Sequence, residues 1–549
     1  MIQQNNYFED LQQFLSSSLQ SFQDLHINLN QFYQICVNGA IDLGSGLGKC
    51  TNLSNLTLQL RENLIGDKGA SGLSSGLEKC TNLSNLKLDL SFNEIGHLGV
   101  SDLASALVKC TNLSNLTLDL KYNQINTVGV SSLSYGLGNC TNLSNLALDL
   151  TKNEICDEGL SGLGLGLGKC IKLSNLTLDL SFNSIRAISA SDLCSGLEKC
   201  ANLSNLTLII FENFIGDEGA SELGFGLGNC TNLLNLTLDL RGNEIGATGA
   251  SDLASGLGKC TNLQKLTLDL MSNEGLYLRN NYQIGAIGAS SLGYGLGKCT
   301  NLSILTLYLR ENQIGKEGAS GLGTGLANCT NLSILTLDLK CNQIGAIGSS
   351  ELVSALGKCT NLSNLTIDLW ENQMGDEGAS GLGFSLGKCT NLLNLTLQLN
   401  NNKIGAIGAS NLCSGLVKCT NLSNLTLYLC SNEIHAITET DLHFGLGNCT
   451  NLLNLEIDLS FNQIGATGVS GLGYDLGKCT KLSNLTLNLA YNKIGLIGAS
   501  NLGSDLLKCT NLQKLTLDLR ENQIYESQQI NAKCLKLKRL ITLNIDLKY

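Results

Sequence analysis

Leucines alternate with polar residues in short bursts along almost the whole chain. Between Cys50 and Lys79, Leu56, Leu58 and Leu60 alternate with Thr57, Gln59 and Arg61, the period-2 pattern of a strand with one buried face. Asn63, Ile65 and Gly66 then break that alternation as a turn. Beyond the turn, Ala70, Leu73 and Leu77 recur at spacings of three and four. That spacing predicts a short helix with these residues inward and Asp67 as its cap. One strand and one helix make a unit.

The unit repeats. Cys50, Cys80, Cys110, Cys140, Cys170, Cys200, Cys230 and Cys260 stand 30 residues apart, and after a gap of 299 − 260 = 39 the series resumes at Cys299 and runs to Cys509. Thirteen of these sixteen cysteines open Cys-Thr-Asn-Leu. A period in this range means a solenoid or propeller, in which each unit buries its apolar face against the next. Thirteen residues after every repeat cysteine stands an asparagine: Asn63, Asn93, Asn123, Asn153, Asn183, Asn213, Asn243, Asn273, Asn312, Asn342, Asn372, Asn402, Asn432, Asn462, Asn492 and Asn522. A primary amide has two donors and an acceptor, so a stacked column of these residues can satisfy buried loop backbone between coils.

The pattern resembles the leucine-rich repeat family, specifically its ribonuclease-inhibitor-like class. Leu58, Leu60, Asn63, Ile65, Gly69, Leu73 and Leu77 carry the resemblance, with the same offsets in later units, over roughly residues 25 to 547. One departure is the 30-residue period with an extra Leu56, slightly longer than family units, so the strand or its leading turn is expected to be extended. The resemblance implies an α/β solenoid, a right-handed horseshoe with a parallel sheet on the concave face and short helices on the convex face. It also implies protein binding through the concave face, and thiols kept reduced.

The expected organisation is a capping helix and degenerate first repeat over 1–49, sixteen repeats over 50–522 with an insertion near 274–282, and a C-terminal capping segment over 523–549. Tyr7, Phe8, Leu11, Phe14, Leu15 and Leu19 fit one face of the capping helix. Leu25, Ile27 and Leu29 begin the degenerate repeat, which continues through Ile35, Gly39, Leu43 and Leu47, and Leu543, Ile545 and Leu547 make a last strand. Lys536, Lys538, Arg539 and Lys548 flank that strand, and charge there discourages further strand addition. The count is 1 + 16 + 1 = 18 strands and about 18 coils. The helices are rich in glycine, as in Gly162 to Lys169, a choice that costs about 1 kcal/mol per Gly relative to Ala. Small flanks would let helices approach to ~8 Å while strands stay ~4.8 Å apart, which predicts a turn of roughly 18° per coil and an arc of about 300°.

Composition narrows the function. The 549 residues carry 46 acidic and 35 basic side chains, a net charge of −11, which disfavours nucleic acid, whose phosphates are held by clustered Lys and Arg. Proline is absent, so the chain has no polyproline linkers or ligand motifs of its own. Met1 to Asp24 lacks the basic start and apolar core of a secretory signal, and no stretch reaches ~18 uninterrupted apolar residues. Glycosylation triplets such as Asn52 to Ser54 and Asn55 to Thr57 recur in nearly every unit, where sugars would crowd the strand face. The expected location is the cytosol, without membrane attachment, and the expected state is a monomer.

Catalytic chemistry is not legible. In Gly44 to Cys50 the position five before Gly48 is Leu43, and Lys49 is followed by Cys50, so the phosphate-loop spacing fails. Only His26, His97, His435 and His443 occur, with no Cys-x-x-Cys beside them, which leaves a zinc site little to work with. His-Arg-Asp and Asp-Phe-Gly are both missing. The repeat cysteines suit buried packing at the helix-to-strand turn. No cofactor, metal or catalytic residue is expected.

Outward strand positions therefore decide function. Nine residues after the repeat cysteine stand Asp89, Asp119, Asp149, Asp179, Asp239, Asp269, Asp338, Asp368, Asp458 and Asp518. The column reads either as solubilising charge, relieved by Lys121, Arg241, Arg310, Lys340 and Arg520 two residues later, or as an acidic track for a basic protein partner. Ile209, Phe211, Met271, Tyr308, Trp370 and Tyr428 replace the usual polar residues. They read either as interface anchors or as drift among duplicated repeats, and Lys340, one coil from Trp370, can hold the indole by a cation–π contact. The nine extra residues of the long unit, near Glu274 to Tyr282, nearly duplicate a strand end and would protrude as a rim loop. The expected function is a non-catalytic protein-interaction scaffold. The alternative is a regulator of an enzyme, either a ribonuclease-inhibitor-like inhibitor or a GTPase activator of the Ran-activating type.

Overall fold

A computed structural model of the protein describes residues 6–30, 35–272, 282–435, 444–524 and 533–547. Asn273, nearly all of the nine-residue insertion, His443 and Lys548 lie outside these residues. The chain divides into two compact units, Met1–Asn273 and Glu274–Tyr549. The division falls at the 39-residue spacing.

The first unit has ten strands among its described residues: Tyr7–Phe8, Asp24–Asn28, and eight of five residues from Asn55–Gln59 to Lys265–Asp269. Each pairs in parallel with its neighbour in sequence, and equivalent residues face one another, as Leu56 does Leu86 and Leu58 does Leu88. The second unit has nine strands among its described residues, from Ile304–Tyr308 to Thr542–Asp546, built the same way. A helix connects most successive strands and packs on the helices of adjacent coils. This is the α/β solenoid of leucine-rich repeats.

Among the described residues the strand count is 10 + 9 = 19, one more than the repeat pattern predicts. The extra strand corrects the N-terminal expectation. Instead of one helix carrying Tyr7 through Leu19, the chain forms the strand Tyr7–Phe8, a helix over Leu11–Leu15 and a 3₁₀ turn over Leu19–Ser21. Two local causes decide this. The Asp10 carboxylate accepts from Gln13 N at 2.7 Å and starts the helix late, while Tyr7–Phe8 pairs with His26–Ile27. Phe8 is thereby buried edge-on against Phe14 and Phe22.

The repeat leucines among the described residues are buried, and so is every repeat cysteine. The thiols lie against the preceding coil, as Cys80 Sγ–H donates to Leu47 O at 3.4 Å. Burial pushes these thiols up, Cys50 and Cys299 to about 11 and Cys80 and Cys329 to about 12.

Each repeat asparagine among the described residues bridges two coils. Asn243 Nδ2 donates to Ile210 O of the preceding coil at 2.6 Å and to Leu240 O of its own at 3.1 Å, while its Oδ1 accepts from Ile215 N at 3.4 Å. The same bonds recur at Asn183, Asn432, Asn462 and Asn492, with small changes of partner.

Glycine-rich segments do form helices, and close approach explains the composition. A Cβ on Gly196 would overlap the Gly164 carbonyl, and one on Gly256 would overlap that of Gly224. Backbones of adjacent helices therefore touch directly at these positions. The Gly-Lys pairs that resemble a phosphate loop lie at helix ends, where the Lys79 stem runs over Gly48 of the coil before.

Helix capping departs from expectation. Asp67 lies in the first turn of Gly66–Leu77 but does not cap it. Its Oδ1 accepts from Gly96 N at 2.7 Å and Gly99 N at 2.8 Å, at the start of the next helix. Asp217 does the same for Gly246 and Gly249, and Asp376 for Gly405 and Gly408.

Candidate functional site

Leucines fill the inner face of each sheet, so every second strand residue faces out. Three outward columns result, led by the asparagine five residues after the repeat cysteine. Asn85 Nδ2 donates to Asn55 Oδ1, Asn115 to Asn85, and the relay continues to Asn235, which bonds Asn205 at 2.5 Å. A similar relay runs from Asn394, on Asn364, to Asn484. Most of these asparagines open the second glycosylation triplet of their unit, and their amides are already engaged.

The third column holds the aspartates. In the first unit Asp119, Asp149, Asp179, Ile209, Asp239 and Asp269 stand in register. In the second, Tyr308, Asp338 and Asp368 do, with Tyr428 two strands further on. All ten column aspartates accept through Oδ1 from the backbone N–H two residues later, as Asp119 does from Lys121 at 3.2 Å and Asp368 from Trp370 at 3.1 Å. This is an Asx turn closing each strand. The signal was present as Asp at a fixed place before a chain reversal, but a column of charge reads more readily as surface.

The second carboxylate oxygen meets cations in several coils. Lys121 Nζ lies 2.9 Å from Asp119 and 3.4 Å from Asp149, and Arg241 bridges Asp239 at 2.5 Å and Asp269 at 3.2 Å. Lys340 turns to Asp368 of the next coil at 3.2 Å, and Arg310 pairs with Glu311 at 2.7 Å. Burial raises the Asp119 and Asp368 carboxyls, against the lowering effect of these bonds.

Phe211 and Met271 stand two residues beyond the acid column in the first unit, as Arg310 and Trp370 do in the second. Arg241 lies 4.7 Å over the Phe211 ring, and Lys340 Nζ lies 5.6 Å from the Trp370 ring. Tyr428 donates its hydroxyl to Glu456 Oε1 at 2.9 Å, and burial with that carboxylate pushes its phenol to about 12. All six outward apolar and aromatic positions are half-buried among their polar neighbours. The first unit thus gathers Ile209, Phe211 and Met271 along one face, and the second gathers Tyr308, Trp370 and Tyr428.

A second feature, in the loops after the strands of the first unit, has no counterpart in the sequence reading. Phe92 and Tyr122 stack at 4.3 Å with an interplanar angle of 9°, and Phe182 meets Phe211 edge-to-face at 4.9 Å. Phe92, Tyr122 and Phe182, with Leu64, Glu94, Gln124, Lys152 and Glu154, line a groove of about 550 Å³. Phe92, Tyr122 and Phe182 hold φ near +55°, a region bulky residues rarely adopt. An aromatic residue immediately before the repeat asparagine was the available signal.

Among the described residues no three or more His, Cys, Asp or Glu gather as metal ligands, and no helix is long and apolar enough to cross a membrane. His26 Nε2 bonds Gln59 Oε1 at 3.0 Å, and His435 Nδ1 lies 2.9 Å from Glu433 O.

Among curated proteins none matches the chain. Among solved structures, internalin C2 of Listeria monocytogenes is 21% identical over 42% of this chain and 83% of its own, with a TM-score of 0.27. The Leucine Rich repeat family matches residues 82–104, 112–134, 145–164, 232–254, 300–323, 330–353, 451–473 and 481–503. Each matched segment covers parts of the strand-and-helix coil described above, and over these segments the chain carries leucine-rich repeats.

Proposed function

We propose that the chain is a non-catalytic scaffold that binds a protein partner on the outward face of its sheets. Leucine-rich repeat domains generally act in protein–protein interaction, and the outward face is where this chain varies. One observation carries the reading: Ile209, Phe211 and Met271 interrupt two neighbouring polar columns in one unit, and Tyr308, Trp370 and Tyr428 do so in the other. Large rings on an otherwise polar face bury much area at little entropy cost. Unneutralised column carboxylates favour a partner with basic groups, which predicts association that slows as salt rises. The chain acts as a monomer in the cytosol, a reading supported by free thiols and by acceptor asparagines whose amides are committed to the relays.

The test is affinity capture from native lysate with wild type and with Phe211→Ser, Tyr308→Ser, Trp370→Ser and Tyr428→Ser combined. A protein partner retained by wild type and lost by the variant, with an unchanged circular dichroism spectrum, supports the reading. Equal capture by both would overturn it.

A further inference from the structure

The groove in the loops of the first unit lies outside the sheet face and has its own regular geometry. Sheet-like bonds continue through these loops: Phe92 N donates to Lys121 O at 3.0 Å, Tyr122 N to Thr151 O at 2.9 Å and Lys152 N to Ser181 O at 2.9 Å. Equivalent positions in successive coils are therefore ~4.8 Å apart, in agreement with the 4.3 Å stacking of Phe92 on Tyr122. Glu94 and Glu154 occupy the same position two coils apart, which separates them by about 9.6 Å. Both are exposed, and among the described residues neither carboxylate has an ion-pair partner. The neighbouring cations are engaged elsewhere. Lys152 Nζ lies 5.3 Å over the Tyr122 ring, and Arg61 bonds Glu62 and covers Phe92.

A ligand that satisfies both carboxylates must present two positive charges on one face, about 9.6 Å apart, with apolar groups between them. A β-strand repeats a face every ~6.7 Å and fits neither one coil nor two. A polyproline II helix repeats a face every three residues at ~3.1 Å each, or about 9.3 Å. Its proline rings also suit a wall of aromatic edges. Proline is absent from this chain, so such a ligand comes from another protein.

We propose that this groove binds a proline-rich segment of a partner protein in the polyproline II conformation, with Lys or Arg at every third residue. The basic side chains meet Glu94 and Glu154, and the prolines lie against Phe92, Tyr122 and Phe182. The site does not depend on the sheet-face reading, because it uses different residues.

Fluorescence anisotropy on the full chain tests the proposal with a labelled (Lys-Pro-Pro)₄ peptide and an isomer of the same composition with its lysines contiguous. The regular peptide binds about fivefold or more tighter than the isomer, and Glu94→Gln with Glu154→Gln weakens it about fivefold or more, as two exposed ion pairs predict. Glu218→Gln with Glu377→Gln, which alters two exposed glutamates elsewhere, leaves the affinity unchanged, as does Trp370→Ser. No binding by wild type, equal affinity for the two peptides, or equal loss in the two glutamate pairs overturns the proposal. Loss on Trp370→Ser also overturns it, by placing the peptide on the sheet face.

Discussion

At Asn243 one side chain answers three backbone groups that the turn leaves buried. Leucine there would keep the branching at Cγ but strand both the Ile210 and Leu240 carbonyls and the Ile215 N–H. Asn243→Leu is expected to cost about 3 kcal/mol, since each buried group left unpaired costs ~1–3 kcal/mol. Urea unfolding measures it, and an unchanged midpoint would contradict the bridge. The asparagine column was legible because one residue type recurs at one offset and an amide has few other reasons to be there. The aspartate column was equally visible, but its use was not. Asp119 spends one oxygen on the Lys121 N–H, a bond set by backbone direction after the strand, which charge counting does not register. Phe92 and Tyr122 were hidden for a related reason: what brings them together is a left-handed backbone repeated in adjacent coils.

Among elements, the start of each helix depends on residues in the coil before it. Where that coil offers Asp67, Asp217 or Asp376, the next helix begins from an extended residue, as at Gly96, Gly246 and Gly405. Where it offers Ala187, Ala286 or Lys316, the glycine at the same place, Gly216, Gly315 or Gly345, holds φ between 57° and 66°. A local reading assigns Asp67 to its own helix because the true partner lies 29 residues on. Asp67→Ala is therefore expected to destabilise by about 1 kcal/mol, the usual worth of such a cap. Its mark is faster amide exchange at Gly96 and Gly99, with the helix Gly66–Leu77 unaffected. Faster exchange confined to Gly66–Leu77 would contradict the cross-coil cap.

Across the molecule, small shifts repeated in coil after coil become large. The repeat thiols ionise near pH 9 when unfolded, whereas burial holds Cys80, Cys140, Cys170 and Cys329 to about 12 in the folded chain. Between those values the unfolded chain releases protons that the folded chain keeps, so stability falls as pH rises through that window. Below about pH 9 these thiols leave stability independent of pH. The melting temperature is expected to hold from pH 7 to 8.5 and then drop steeply toward pH 11. A Cys80→Ala variant, having one thiol fewer, should show a shallower drop. A flat profile to pH 11 would rule this out.

Strand pairing sets equivalent residues opposite one another, Asn55 with Asn85 and Leu58 with Leu88, at the constant separation of 30 seen in the asparagine relay. A gene-level loss or gain of one whole period within either unit would splice one coil onto another with every bond and every leucine in place. An indel one codon short of that would turn the apolar side of every strand it shifted toward water. Such a chain can change length by recombination between its own repeats, and so offer a longer or shorter surface, without having to invent a new fold.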